Sequence, residues 1–186
     1  MTLPIVAYGD PVLNTKASNI SADYPGLREL IDNMFETMYA ANGVGLAAPQ
    51  IGLPIRLFVI DAAAYDEEQF KDEKRVFINA EIVEYKGEEW AFNEGCLSIP
   101  DVRGDVFRPE TIKIRYFDEN FQEHLAEFSD MPSRIIQHEY DHIEGKLFTE
   151  KLAPLRRRMV QKKLDQIKNG IVSVSYRMRF ARAKKK

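Results

Sequence analysis

The chain is short of cysteine, of long apolar runs and of repeats, and each shortage narrows what it can be. A single cysteine, Cys96, in 186 residues excludes an internal disulfide and fits a reducing compartment. No apolar run approaches the ~20 residues that cross a bilayer. The start Met1-Thr2-Leu3-Pro4 lacks the basic-then-apolar order of a secretory signal. A cytoplasmic protein with no membrane part is therefore expected. No segment repeats and no linker divides the chain, so residues 1–186 are expected to form one domain, with a basic C-terminal tail from about 170 to 186. Its 45% hydrophobic and 30% charged residues are ordinary for a globular domain with a sizeable core.

What is present centres on Gln137-His138-Glu139-Tyr140-Asp141-His142, which has the form H-E-x-x-H. The stretch Ser129-Asp130-Met131-Pro132-Ser133 offers a capping hydroxyl or carboxylate and a proline for a first helical turn. Gly145 offers a stop. On the helix between them His138 and His142 lie one turn apart on one face, where two imidazoles can bind one divalent metal. Glu139 beside them can move protons for a metal-bound water. The bland alternative is a helix with two surface or core histidines.

Earlier in the chain, residues 1–23 read as a wrapping arm broken at Gly9-Asp10-Pro11 and Ser18-Asn19. An amphipathic helix follows from about Pro25 to Ala41, with Leu27, Leu30, Ile31, Met34, Phe35 and Met38 as its core stripe and Asn42-Gly43 as its stop. The run from Gly43 to Gln50 is small-residue rich, which admits a close backbone or ligand, or merely a tight connection. Arg56–Ile60 reads as a buried strand, and 63–74 as a polar surface loop. From Val76 to Phe128 the pattern predicts one short strand after another, with turns at Lys86-Gly87 and Asp118-Glu119-Asn120. A helix over Pro154–Lys168 closes at Asn169-Gly170, and Val172 to Phe180 alternate as a closing strand. The expected fold class is α+β: antiparallel sheets packed around a central H-E-x-x-H helix, with an N-terminal amphipathic helix and a C-terminal helix followed by a short strand.

Two histidines do not make a catalytic metal site, which commonly takes three protein ligands and keeps one position open. Downstream, Glu150 or Asp165 would serve in a zincin-like endopeptidase. Upstream, Cys96 in Glu94-Gly95-Cys96-Leu97-Ser98 would complete a Cys-His-His set, although a lone cysteine also suits a small buried hydrophobe. A third reading is a ribosome- or RNA-binding protein with a structural metal. Glu139 speaks against it, since a closed structural site needs no base.

Three segments together resemble one family. Gly43-x-Gly45-Leu46-Ala47-Ala48-x-Gln50, Glu94-Gly95-Cys96-Leu97-Ser98 and Gln137-His138-Glu139-x-x-His142 match in order the motifs of the peptide deformylases. The helix Asp32–Tyr39 is similar to theirs as well, and the resemblance spans about residues 4–155. It implies an enzyme that removes the N-formyl group from the initiator methionine of nascent N-formylmethionyl polypeptides, releasing formate. It also implies one divalent metal, Fe(2+) by family habit, with Zn(2+), Ni(2+) or Co(2+) compatible with the donors. By the same resemblance Cys96, His138 and His142 are metal ligands. Metal-bound hydroxide attacks the formyl carbonyl with Glu139 as general base and then acid. Gln50 and the Leu97 N–H stabilise the oxyanion.

Gly43 and Gly45 would let substrate backbone lie along the protein like an added strand, with Glu94 and Gly95 also beside it. Val44, Phe92, Met131 and Ile135 are candidates for the methionine pocket, or equally plain core. Asp141 is expected to orient a neighbour, with Arg108 as its partner. The charge is uneven: from Arg156 to Lys186 there are twelve Lys and Arg against the one acid Asp165, or +11, leaving −14 on residues 1–155 and −3 overall. Such a tail suits a polyanionic partner such as the ribosome, or simply solvent. Leu155, Met159 and Leu164 are expected to pack inward from its helix, with Arg179–Lys186 mobile.

Overall fold

A computed structural model describes residues 1–181. In chain order it contains β1 (Ile5–Val6), α1 (Leu27–Ala40), β2 (Gly45–Ala47), β3 (Leu57–Asp61), α2 (Glu67–Phe70), β4 (Lys74–Cys96), β5 (Ile99–Phe117), β6 (Glu123–Phe128), α3 (Asp130–Ile143), α4 (Pro154–Lys168) and β7 (Met178–Arg179). Strands β2-β3-β4-β5-β6 pair in that order, antiparallel throughout, and β1 pairs with β7 in parallel.

Helix ends follow local chemistry closely. Each long helix stops at a left-handed residue, Asn42 (φ 55°), Gly145 (φ 72°) or Gly170 (φ 76°). The next amide then reaches back to an orphan carbonyl: Gly43 N–H to Met38 O at 2.8 Å, Lys146 N–H to Asp141 O at 2.8 Å, Ile171 N–H to Gln166 O at 2.9 Å. The start of α3 departs from expectation. Ser129 makes no capping bond to the helix, and its hydroxyl pairs instead with the Thr111 hydroxyl at 2.9 Å.

The sheet also corrects the sequence pattern. Of the expected run of short strands only the last, β6, is short; the rest is the two long strands β4 and β5, and Lys86-Gly87 is not a turn, because β4 continues through it. A register shift between Lys86 and Glu89 absorbs one extra residue, with Gly87 at φ 78°. The tight turn of this hairpin is Leu97-Ser98, since Cys96 pairs with Ile99. Cys96 therefore sits at the tip where the longest strand reverses. The polar stretch after Ala62 carries α2, capped by Asp66 accepting from Gln69 N–H at 3.0 Å and pinned by buried Phe70.

Helix α3 packs on β2, β3 and β5 through Met131, Ile135, Ile136 and Ile143. Each buried side chain is worth about 1.5–3 kcal/mol, so this apolar face fixes the helix that carries both histidines. Ile136→Ala would cost about 2–5 kcal/mol and loosen it. Helix α4 buries Val160, Leu164 and Ile167, whereas Leu155 (71% exposed) and Met159 (66%) point outward. The inward stripe runs i, i+4, i+7 from Val160, and Leu155 and Met159 fall off it.

The closing strand is likewise shorter than its alternation suggests. Even-numbered residues from Val172 to Phe180 are half-buried and odd-numbered ones exposed, yet only Met178 and Arg179 join a ladder. Arg179 is thus held in β7, contrary to the expectation of a mobile end there. For 182–186 that expectation lies outside the described residues.

Candidate active site

One face of α3, the β4–β5 tip and the segment after α1 meet in a cleft of about 630 Å³. The tip brings Cys96 to the two histidines. Sγ of Cys96 lies 3.4 Å from Nε2 of His142, and the donor atoms of Cys96, His138 and His142 all lie within 4.8 Å of one another. Donors on one tetrahedral cation with bonds of ~2.0–2.3 Å sit ~3.3–3.8 Å apart, so a Cys-His-His set of this spacing fits a divalent metal. Asp165 and Glu150 do not join it. Asp165 accepts from Gln161 on α4, and Glu150 caps its own turn at Leu147 N–H.

The cleft floor holds a buried charge cluster centred on Glu94. Arg108 grips both its oxygens, Nε to Oε1 at 2.7 Å and Nη2 to Oε2 at 3.0 Å. Arg134 adds Nη1 to Oε1 at 2.9 Å, and Arg108 Nη1 also reaches Asp141 Oδ2 at 2.8 Å. Burial alone would raise the Glu94 pKa. Hydrogen bonds from His138 and Arg108 more than reverse that and hold it well below the carboxylate range.

A carboxylate only accepts, so His138 Nδ1, 2.9 Å from Glu94 Oε2, carries the proton and leaves Nε2 free as a donor atom. Burial lowers the pKa of both histidines. In His138, contacts with Cys96 and Glu94 outweigh it and the metal-free pKa stands well above normal, so a metal at Nε2 would displace a proton, whereas the pKa of His142 stays well below.

Glu139 faces the cleft from the same helix. It is buried, its Oε2 has no hydrogen-bond partner among the described residues, and burial pushes its pKa up to about 7. Gln50 is fixed by Ala47 N–H donating to its Oε1 at 2.8 Å, which aims its Nε2 at Cys96 Sγ and Ser98 Oγ, each 3.4 Å away.

The two glycines expected to admit substrate also make room for the protein. A Cβ on Gly45 would lie 2.5 Å from Glu139 Oε1, and one on Gly43 2.8 Å from Leu97 Cδ1. Val44, Phe92, Met131 and Ile135, which share one apolar cluster, line the cleft together with Tyr65, and Gly95 and Leu97 line it as well.

Three contributors escaped the sequence. Arg134 lies one turn before His138 on the same face, a signal that spacing offered, and its guanidinium stacks 4.3 Å over Trp90. Trp90 carried no signal beyond its strand. Ser173 to Tyr176 line the cleft mouth, with only an alternating pattern to mark them.

Comparison with known proteins gives the family of the chain. The family model described as Polypeptide deformylase matches residues 2–158. A protein named peptide deformylase from Christiangramia forsetii is 56% identical, covering 100% of this chain and 99% of its own. One of the same name from Flavobacterium johnsoniae is 55% identical, with the same coverage. Among solved structures, a peptide deformylase from Legionella pneumophila superposes with a TM-score of 0.81 at 39% identity, covering 91% of this chain and 96% of that one. Peptide deformylase 1B of Arabidopsis thaliana, solved with an inhibitor, gives a TM-score of 0.82 at 35% identity over 90% and 91%.

Proposed function

The chain belongs to the peptide deformylase family, hydrolases that act on N-formylmethionyl peptides, and we propose that it takes the formyl group from the N-terminal methionine of newly made chains by the following division of labour. The observation that carries this reading is the meeting of the Cys96, His138 and His142 group with Glu139 and Gln50 at a single cleft lined also by apolar side chains.

Held by Cys96, His138 and His142, a divalent metal would polarise the formyl carbonyl and acidify a water molecule; ferrous iron is the expected ion, with zinc, nickel or cobalt acceptable to the same donors. The chain's own groups do the rest. Glu139, with a pKa near neutrality, accepts a proton from the attacking water and returns it to the departing amine as the C–N bond breaks. Gln50 Nε2 and the Leu97 N–H donate to the formyl oxygen as charge builds on it. Glu94 keeps His138 in the tautomer that leaves Nε2 free. Val44, Phe92, Met131 and Ile135 receive the methionine side chain, and Gly43–Gly45, the segment leading into β2, lies beside the substrate backbone. Release of formate from formyl-Met-Ala by protein purified without oxygen, with bound metal counted, tests the reading. No formate from metal-loaded protein would sink it.

The exposed face of α4 supports a ribosome contact. Arg156, Arg157, Arg158 and Lys162 are exposed beside Leu155 and Met159, and no helix among the described residues is long and apolar enough to cross a membrane. Phosphate docking of this kind weakens steeply with salt. Replacing Arg157, Arg158 and Lys162 by Gln would then lower co-sedimentation with ribosomes at low salt while leaving formyl-Met-Ala turnover intact. Equal co-sedimentation would refute the contact.

A further inference from the structure

The segment after α4 turns back at Gly170 and passes the cleft, bending at Ser175-Tyr176, with Ser173, Val174, Ser175 and Tyr176 among its lining residues. Among the described residues no backbone–backbone hydrogen bond engages 172–176. The segment is held instead at its far end and by its side chains. Ile5 N–H donates to Arg177 O at 2.9 Å and Ala7 N–H to Arg179 O at 2.8 Å, while Val172, Met178 and Phe180 pack into the cluster around Val160 and Leu164.

Tyr176 reaches the other way. Its ring is partly buried against the cluster around α1, and its hydroxyl donates to the Leu97 carbonyl at 2.7 Å. One residue on, the Ser98 carbonyl accepts from Tyr8 N–H at 2.8 Å. Both carbonyls of the two-residue turn that follows Cys96 are therefore occupied by the two terminal segments of the chain. The Leu97 N–H and its carbonyl lie on successive peptide planes joined at the Leu97 Cα, and with Cys96 paired to Ile99 across so short a turn, pinning the later planes limits how far the earlier one can rotate.

We propose that Tyr176 is a positioning residue that sets the direction of the Leu97 N–H, and that segment 171–180 is thereby a working part of the catalytic cleft. The inference rests on the deformylase reading for the role of that N–H, while the fixing of the turn stands on geometry alone. Burial raises the Tyr176 pKa to about 12, with Cys96 and Asp101 adding to it, so the hydroxyl remains a donor through the neutral range.

Tyr176→Phe removes the hydroxyl and keeps the ring. Since a misplacement of ~1 Å can cost ~10²-fold in rate, a partial loosening is expected to lower kcat on formyl-Met-Ala by about tenfold. KM and metal content should stay within about twofold of wild type, the loss being one of orientation rather than binding. Hydrogen exchange at the Leu97 amide, followed by NMR, should quicken relative to amides elsewhere in β4. A kcat within twofold of wild type, a loss carried by KM alone, or unchanged Leu97 exchange would each overturn the proposal. Failure of the wild-type protein to release formate would instead overturn the deformylase reading, and Leu97 exchange would still decide whether Tyr176 fixes the turn.

Discussion

Gly45→Ala should cripple turnover while leaving the fold and the metal donors in place. Neither Gly43 nor Gly45 has a left-handed backbone, so alanine is acceptable to the main chain and only the space around Cβ matters. At Gly45 the new atom would stand 2.5 Å from Glu139 Oε1, 2.8 Å from Cγ and 2.9 Å from Cδ, where ordinary contact begins at 3.4 Å. About 1 Å must be found. A surface carboxylate would swing aside, but Glu139 is 4% exposed and its helix is seated on the sheet. Crowding of this kind costs about 1–3 kcal/mol, or roughly 2–10 °C in melting temperature for a chain of this size.

The catalytic effect is larger in proportion, since ~1 Å of misplacement can remove ~10²-fold from kcat/KM. Bound metal should be unchanged, because Cys96, His138 and His142 are not the atoms struck. Gly43→Ala is the comparison: there the nearest atom is a terminal methyl, Leu97 Cδ1 at 2.8 Å, with Met38 O next at 3.3 Å. A methyl can rotate away, so about tenfold or less is expected. Steady-state formate release with metal analysis measures both. A Gly45→Ala enzyme within fivefold of wild type, or one less impaired than Gly43→Ala, would refute the reasoning.

Glu139→Gln should keep its metal and lose ~10²–10⁴-fold in kcat, and a loss under tenfold would remove Glu139 from the proton transfers. The same substitution has the opposite effect on stability without metal. Glu139 binds its proton more tightly folded (about 7) than at the ordinary 4.5, so its contribution is whole below 4.5 and lost as pH rises through 7. Metal-free Glu139→Gln should therefore overtake wild type across that window, by up to about 3 kcal/mol, and lower stability at pH 8 would contradict this. Glu94→Gln leaves Arg134 buried without its counter-charge and Arg108 with Asp141 alone and should cost about 3–5 kcal/mol by thermal melt; a change below 1 kcal/mol would show the cluster relaxing into solvent. N-acetyl-Met-Ala should be cleaved at least ~10²-fold more slowly than its formyl analogue, because Glu139 and Leu97 already fill the space beside the glycines. Similar kcat/KM values would mean an open pocket.

Much of this was legible wherever the determinant is local. Asn42, Gly145 and Gly170 announced their helix ends because a left-handed residue is a property of a few consecutive dihedrals. The spacing of His138 and His142 stated their common face, and the apolar stripe of α1 stated its buried side. Lys86-Gly87 misled because a glycine with positive φ serves a bulge as readily as a turn, and only the partner strand decides between them. Leu155 and Met159 misled because a basic helix offers several apolar residues, and which of them faces inward depends on the body it packs against. The hydroxyl of Tyr176 on Leu97 spans 79 positions in sequence and leaves no local trace.

The Glu94 cluster shows why the site can be exact although its parts come from distant segments. A lone buried arginine or glutamate would be prohibitive, and an isolated buried pair contributes little net stability. Here Glu94 accepts from Arg108, Arg134 and His138, while Arg108 reaches on to Asp141 and the Gln137 carbonyl. Every bond in that set crosses from the β4–β5 hairpin to α3 or between the hairpin's own strands, so the hairpin cannot slide relative to the helix without stranding a charge. Cys96 is two residues from Glu94, and His138 and His142 bracket Asp141 on α3. The charges that are expensive to bury thus hold the register between the element that carries the sulfur and the element that carries the imidazoles, and Glu94 fixes the His138 tautomer through that same bond.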